Sequence, residues 1–178
     1  MRIIGGEWRG RTIQAPPGDG TRPTTDRVRE ALFSMLASRL GSFEDLRVAD
    51  LFAGSGALGL EALSRGAAHC TLVERDRGAV SALRTNIKSL GANADIITRP
   101  VEAIHAANNP CDLIFLDPPY GQGLVEATIP ILTERGWIAP SAWLSIETEP
   151  GFETTLPGLT RDAMKTFGKS QLQLFRAT

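Results

Sequence analysis

Residues 47–59 read Arg47-Val48-Ala49-Asp50-Leu51-Phe52-Ala53-Gly54-Ser55-Gly56-Ala57-Leu58-Gly59. A strand-like run over 47–52 passes through a glycine-rich turn into a helical pattern over 57–65, which Gly66 stops. Strand, tight turn and helix in that order open a doubly wound α/β unit. Gly54, Gly56 and Gly59 satisfy the spacing G-x-G-x-x-G, and Glu74 follows Gly54 by twenty residues at the tip of the next strand-like run. Glycines let the backbone turn tightly beside a ligand, and an acid on the second strand can accept both hydroxyls of a ribose. The combination points to a nucleoside-containing ligand, with a tight turn beside a surface glutamate as the alternative.

Outward from this unit, apolar runs at 70–73, 95–98, 113–116 and 143–146 alternate with helical patterns at 77–90, 102–107 and 124–134. Near-continuous apolar strands separated by helices predict a mainly parallel sheet covered on both faces. A last strand over 171–176 fits a return along an edge. Upstream, 2–4 and 8–14 predict a β-hairpin turning at Gly5-Gly6, and 15–23 a Pro/Gly loop. A helix follows over 26–40, in which Val28, Ala31, Leu32, Met35, Leu36 and Leu40 share one face. Thr24, Thr25 and Asp26 are available as its caps and Gly41 as its stop. The expectation is one domain, 1–178, divided near residue 44 into an N-terminal appendage (1–44) and an α/β body (45–178).

The 178 residues carry 19 Lys+Arg against 20 Asp+Glu, with 42% apolar and 22% charged residues, a profile that excludes disorder and collagen. The longest apolar run, Leu113 to Leu116, is far short of the roughly 20 residues of a membrane span, and no secretion signal is seen at the start, so a cytoplasmic protein without a membrane partner is expected. Cys70 and Cys111 are unclustered and read as buried thiols, and neither His69 nor His105 has a partner pattern, so no metal is expected. The net charge of −1 hides a gradient: residues 1–29 carry +3, residues 161–178 carry +3, and the stretch between them −7. Solvated surface charge explains this unless a nucleic-acid chemistry is present, in which case the basic ends become a candidate docking face.

Dinucleotides and S-adenosyl-L-methionine use the same corner of such a sheet. A pyrophosphate is anionic and seeks N–H groups, whereas the amino-acid end of S-adenosylmethionine carries an ammonium and a sulfonium. Asp50 favours the cation; a strand-end acid capping the next turn is the alternative. The deciding feature is Asp117-Pro118-Pro119-Tyr120, which closes the run 113–116 and should share a crevice with the glycine turn. Two prolines remove two backbone donors, so the Asp117 carboxylate and the Pro118 carbonyl can accept the two hydrogens of an exocyclic amino group while Tyr120 stacks on the base. Held in this way, the amine directs its lone pair at a sulfonium methyl, by positioning and electrostatics and without a metal or a protein nucleophile.

Asp50 to Gly59 with Asp117 to Tyr120 resembles the class I S-adenosylmethionine-dependent methyltransferases that act on exocyclic amines. More narrowly, Arg2-Ile3-Ile4-Gly5-Gly6, Trp8-Arg9-Gly10-Arg11, the run from Arg22 to Glu30, the run from Leu51 to Ala62, and Leu116 to Tyr120 together resemble the bacterial RsmD family. That family methylates N2 of one guanine in small-subunit 16S ribosomal RNA. The match covers residues 2–147 and is weaker beyond, where Thr166-Phe167-Gly168 stands for the family's basic segment and aromatic-Gly pair. The resemblance implies a Rossmann-like, mainly parallel seven-stranded sheet with a final antiparallel strand. It also implies a cofactor site at Asp50, Ala53, Gly54, Gly56, Glu74 and Arg75, with Glu102 as candidate for the adenine.

The implied substrate is an assembling or assembled small subunit, met by a monomer. Arg9, Arg11, Arg22, Arg27 and Arg29 of the appendage, with Lys165 and Lys169 of the tail, are the candidate RNA contacts; Arg27 and Arg29 read equally as outward charges on an amphipathic helix. Adenine-N6 methylation of DNA or RNA stays open beside guanine-N2 methylation, because the tetrapeptide serves either amine. A nicotinamide-dependent reductase is disfavoured by Asp50 and by the lack of a second mononucleotide-binding half.

Overall fold

The computed structural model describes residues 1–18 and 24–178. Helix α1 (Asp26–Leu40) begins where the Thr25 hydroxyl accepts from the Val28 amide at 3.3 Å and ends at Gly41. Its apolar face buries Val28, Leu32, Phe33 and Leu36. Helix α2 (Ala57–Ser64) follows the glycine turn. Helix α3 (Arg77–Leu90) is capped by Asp76, whose carboxylate accepts from the Ala79 amide at 2.8 Å. Helix α4 spans Leu124–Glu134. Three of these helices, α1, α3 and α4, have the bounds that periodicity and caps predict.

Among the described residues, one sheet contains β1 (Arg47–Asp50), β2 (His69–Val73), β3 (Ala94–Ile97), β4 (Cys111–Leu116), β5 (Ile138–Thr148), β6 (Leu159–Phe167) and β7 (Ser170–Ala177). Their order is β3-β2-β1-β4-β5-β7-β6. The first five pair in parallel, and β7 runs antiparallel to both β5 and β6. Side chains alternate along β4: Leu113 and Phe115 face the layer of α1, α2 and α3, while Ile114 and Leu116 face α4 through Val125, Ile129 and Leu132. Burial on both faces is the reason these strands read as unbroken apolar runs. The chain leaves β1 outward to β2 and β3 and returns on its other side to β4, so the carboxyl ends of β1 and β4 flank the switch point where ligands of such sheets bind.

Four readings are corrected. The N-terminal hairpin is a chain reversal held by a single bridge between Arg2 and Thr12, with Ile3 N–H donating to Arg11 O at 2.9 Å; it is not two full strands. The segment after β3 forms one 3-10 turn, Val101–Ala103, not a helix over 102–107. β5 is longer than 143–146 at both ends. The last strand does not run along the edge: β7 is inserted between β5 and β6, and β6, which the apolar pattern does not mark, takes the edge.

The N-terminal segment is tied to α2. Glu61 is fully buried and accepts from the Ile4 and Gly5 amides, both at 2.8 Å, while Ser64 Oγ accepts from Trp8 N–H and donates to Gly5 O. A Cβ at Gly6 would lie 1.9 Å from Ser64 O, so this approach admits no larger residue there.

Candidate active site

The turn after β1 wraps one carboxylate. Glu74, just past β2, accepts from the Gly54 amide through Oε2 at 2.8 Å, and from the Arg75 and Asp76 amides through Oε1 at 2.8 and 2.9 Å. The expected ribose acceptor is therefore also the anchor of the glycine turn: Oε1 already accepts two amides, and one acceptor position remains, on Oε2. The three glycines do different work. Gly54 has φ of +55° and open space where a Cβ would point. At Gly56 a Cβ would lie 2.4 Å from Leu83 Cδ1, and at Gly59 it would lie 2.7 Å from Cys70 Sγ and Leu72 Cδ2, so these two glycines let α2 and its turn pack closely on α3 and β2. Ala53 is buried, and its amide donates to Val73 O at 3.0 Å. The Arg75 side chain is exposed, as is Glu102 on the 3-10 turn after β3.

Asp50 ends β1 at 1% exposure. Its Oδ2 accepts from the Gly59 amide at 3.1 Å, and its Oδ1 is buried without a hydrogen-bond partner among the described residues. Burial lifts its carboxyl to about 7, the Gly59 and Phe52 amides opposing and the Glu74 charge adding to the rise. A buried acceptor short of a donor fits a cationic ligand group, and it is unsuited to a pyrophosphate.

Asp117 follows β4 directly, and its tetrapeptide continues through buried Pro118 to exposed Pro119 and Tyr120, the latter at 38% exposure. Two residues that the sequence reading did not single out as site residues complete the group. Thr24 Oγ1 lies 3.4 Å from Asp117 Oδ2 and 3.2 Å from Glu147 Oε2, and the Tyr120 hydroxyl donates to Glu147 Oε1 at 3.4 Å. Glu147 belongs to the carboxyl end of β5, next to β4 in the sheet. Desolvation pushes the Asp117 carboxyl well above the usual carboxylate range, with the Glu147 and Asp50 charges adding to it and the Thr24 hydrogen bond opposing. An open cleft of about 360 Å³ is lined by Thr24, Thr25, Arg27, Glu147, Thr166 and Phe167 among others. A second of about 200 Å³ runs over Pro118, Pro119 and Tyr120 to Phe152 and again includes Glu147.

The expected RNA contacts divide. Arg9, Arg27, Lys165 and Lys169 are exposed, and Arg27 stands on the larger cleft. Arg11 is exposed but donates to Ser89 O at 2.6 Å at the end of α3. The Lys165 ammonium sits 5.2 Å from the Phe167 ring. Arg22 lies outside the described residues. Arg29 is corrected: it is fully buried, donating to Arg2 O at 2.8 Å and to Asp26 at 2.7 Å, with Glu61 at 3.8 Å. Its guanidinium is used in joining α1, α2 and the N-terminal segment, and no face of it is left for a phosphate.

The family model described as Conserved hypothetical protein 95 matches residues 1–176. The Escherichia coli (strain K12) protein named Ribosomal RNA small subunit methyltransferase D is 46% identical over 151 residues, 84% of this chain and 75% of that protein. The solved structure of the Escherichia coli protein yhhF superposes with a TM-score of 0.89 at 42% identity, covering 99% of this chain and 97% of that one. The Thermus thermophilus 16S rRNA N2 G1207 methyltransferase RsmC, solved with AdoMet and guanosine, gives a TM-score of 0.69 at 20% identity over 100% of this chain and 49% of its own, a likeness of fold. With the glycine turn, the Asp117 tetrapeptide and β7 inserted antiparallel next to the edge, these matches place the chain in the Conserved hypothetical protein 95 family, the family of the ribosomal RNA small subunit methyltransferases D.

Proposed function

We propose that this chain transfers a methyl group from S-adenosyl-L-methionine to the exocyclic N2 of a guanine in the 16S ribosomal RNA of the small subunit or its assembly intermediate. The observation that carries the reading is the juxtaposition at the switch point: β1 and β4 are neighbours, so the Asp50 turn and the Asp117 tetrapeptide open side by side. The name of the Escherichia coli relative and the RsmD-like motifs support the RNA and the base.

Asp50, Ala53, Gly54, Gly56 and Glu74 would hold the cofactor, with Arg75 and Glu102 flanking it. Asp50 Oδ1, without a hydrogen-bond partner among the described residues, would meet its ammonium, and the remaining acceptor position on Glu74 Oε2 would meet a ribose hydroxyl. When bound, the cofactor supplies an electrophilic methyl on sulfur. Asp117 and the Pro118 carbonyl accept the two amine hydrogens and turn the nitrogen lone pair toward that methyl, which is catalysis by position and electrostatics. The raised proton affinity of Asp117 suits it to take the proton that the amine loses as its new N–C bond forms. Tyr120 stacks on the unpaired base and Pro119 keeps the loop stiff. Arg9, Arg11, Arg27, Lys165 and Lys169 dock phosphates and so set the register. The protein works as a cytoplasmic monomer; no helix among the described residues is long and apolar enough to cross a membrane.

The test is transfer of label from methyl-tritiated S-adenosylmethionine into small subunits and into bare 16S RNA, both from cells lacking the relative's methylation. Label in the RNA is expected; its absence from both substrates would overturn the reading.

A further inference from the structure

We infer that Glu147 selects the base, accepting the N1–H of guanine while Asp117 accepts from the neighbouring N2 amine, so that guanine is admitted and adenine refused. This rests on the methyl-transfer reading above and adds to it the residue that decides between the two amines the tetrapeptide could serve.

One hydroxyl, Thr24 Oγ1, lies 3.4 Å from Asp117 Oδ2 and 3.2 Å from Glu147 Oε2, so those two oxygens are at most 6.6 Å apart. A hydroxyl has one proton, and it cannot satisfy both carboxylates at once. The Tyr120 hydroxyl reaches the other Glu147 oxygen at 3.4 Å, a long contact. Among the described residues no lysine or arginine pairs with Glu147, although it is only 7% exposed. Among the described residues, two hydroxyls thus face two carboxyl groups, so this wall holds more acceptor positions than donors.

Glu147 also lines both clefts: the one shared with Arg27 and the Thr166-Phe167 turn, and the one that runs over Pro118, Pro119 and Tyr120. A base stacked on Tyr120 therefore turns its edge toward Asp117 and Glu147 together.

The Watson–Crick edge of guanine presents N1–H and the N2 amine side by side, two adjacent donors for two carboxylates. Adenine presents an amine beside the bare N1 lone pair, which would face a carboxylate oxygen. A site built to hydrogen-bond a donor rejects the analogue that lacks it, because its own polar group is then left unpaired. Thr24 and Tyr120 hold the Glu147 carboxylate in place until the base supplies the donor.

The experiment replaces the target guanine, once mapped, with 2,6-diaminopurine by splinted ligation of the 16S RNA and reconstitution with small-subunit proteins. This base keeps the 2-amine and exchanges N1–H for an N1 acceptor. The parent should prefer guanine in kcat/KM by about tenfold to hundredfold, the discrimination typical of a good base-edge contact. Glu147→Gln, whose amide can donate to N1, should bring that ratio to about one or below it, with cofactor affinity unchanged. Glu147→Ala, with neither donor nor acceptor, should slow guanine and leave diaminopurine no slower than with the parent, since the carboxylate that faced its N1 lone pair is gone.

A guanine preference that survives in both variants, an equal loss on both bases, or a parent indifferent to the exchange would each overturn the assignment. If the parent methylates adenine N6 and no guanine, the methyl-transfer reading fails at its substrate and the role of Glu147 fails with it; the parent on unmodified RNA reports this first.

Discussion

Asp50→Asn should make the cofactor-free protein more stable at pH 8 while weakening its hold on S-adenosylmethionine. The substitution keeps the shape and the acceptor for the Gly59 amide, now 3.1 Å from Asp50 Oδ2, and removes a buried charge whose Oδ1 has no partner among the described residues. A carboxyl moved from 3.8 to about 7 by burial burdens the folded, ionised state by roughly 4 kcal/mol relative to an exposed acid, at about 1.36 kcal/mol per pH unit. Below about pH 4 both folded and unfolded chains carry the proton, and the side chain contributes no pH dependence. Between about 4 and 7 only the folded chain keeps it, so the parent loses stability as pH rises; above 7 both are ionised and the deficit is complete. The advantage of the variant should therefore grow from near zero at pH 4 to about 3–4 kcal/mol at pH 8, read from urea unfolding of both proteins without cofactor. Cofactor affinity should fall by about 1.5–3 kcal/mol in the variant, the worth of a charged hydrogen bond, and parent affinity should weaken as pH drops below about 7 and Asp50 takes up its proton. Parallel stability profiles for the two proteins across this range would refute the reasoning.

Glu74→Ala should weaken S-adenosylmethionine binding by ~1.5–3 kcal/mol in calorimetry and lower the melting temperature, since three backbone amides lose their acceptor; unchanged affinity would remove Glu74 from the site. Asp117→Ala should leave cofactor affinity nearly intact and reduce single-turnover transfer by orders of magnitude, whereas a matching drop in both would make it a cofactor or folding residue. Arg29→Met should cost about 3 kcal/mol in urea unfolding, because Glu61 keeps Arg65 at 3.0 Å but loses its buried guanidinium neighbour; a change within experimental error would contradict its structural role. Arg9→Ala with Arg11→Ala should flatten the salt slope of RNA binding by about one to two units at unchanged cofactor affinity. An unaltered slope would return both to solvated surface charge.

How far the sequence could be read follows from what each segment buries. Helices α1, α3 and α4 carry apolar periodicity between recognisable stops, and β1, β2 and β4 are buried on both faces, so their patterns state their structure. β6 is an edge strand of mixed polarity, Leu159-Thr160-Arg161-Asp162-Ala163-Met164-Lys165-Thr166-Phe167, largely exposed and without an apolar run. β7 carries Gln171 and Gln173, which suggest an edge. Both glutamines are instead buried and donate to Phe152 O at 3.1 and 2.9 Å, holding the loop after β5. Arg29 misleads in the same way: a charged residue near a helix start reads as surface until Glu61, a helix and a strand away, is seen to need it. The glycine turn and the tetrapeptide were legible because their chemistry is local. Glu147 and Thr24 were not read as site residues, since a lone acid at a strand end and a threonine next to a cap gain meaning only when β4, β5 and α1 converge.

The most direct test of the account is the identity of the methylated nucleoside. Small subunits from cells lacking the relative's methylation are incubated with the protein and S-adenosylmethionine, and the 16S RNA is digested and resolved by chromatography and mass spectrometry. N2-methylguanosine is expected at one position, dependent on Asp117. N6-methyladenosine, or methylated guanosine formed equally well by Asp117→Ala, would contradict it.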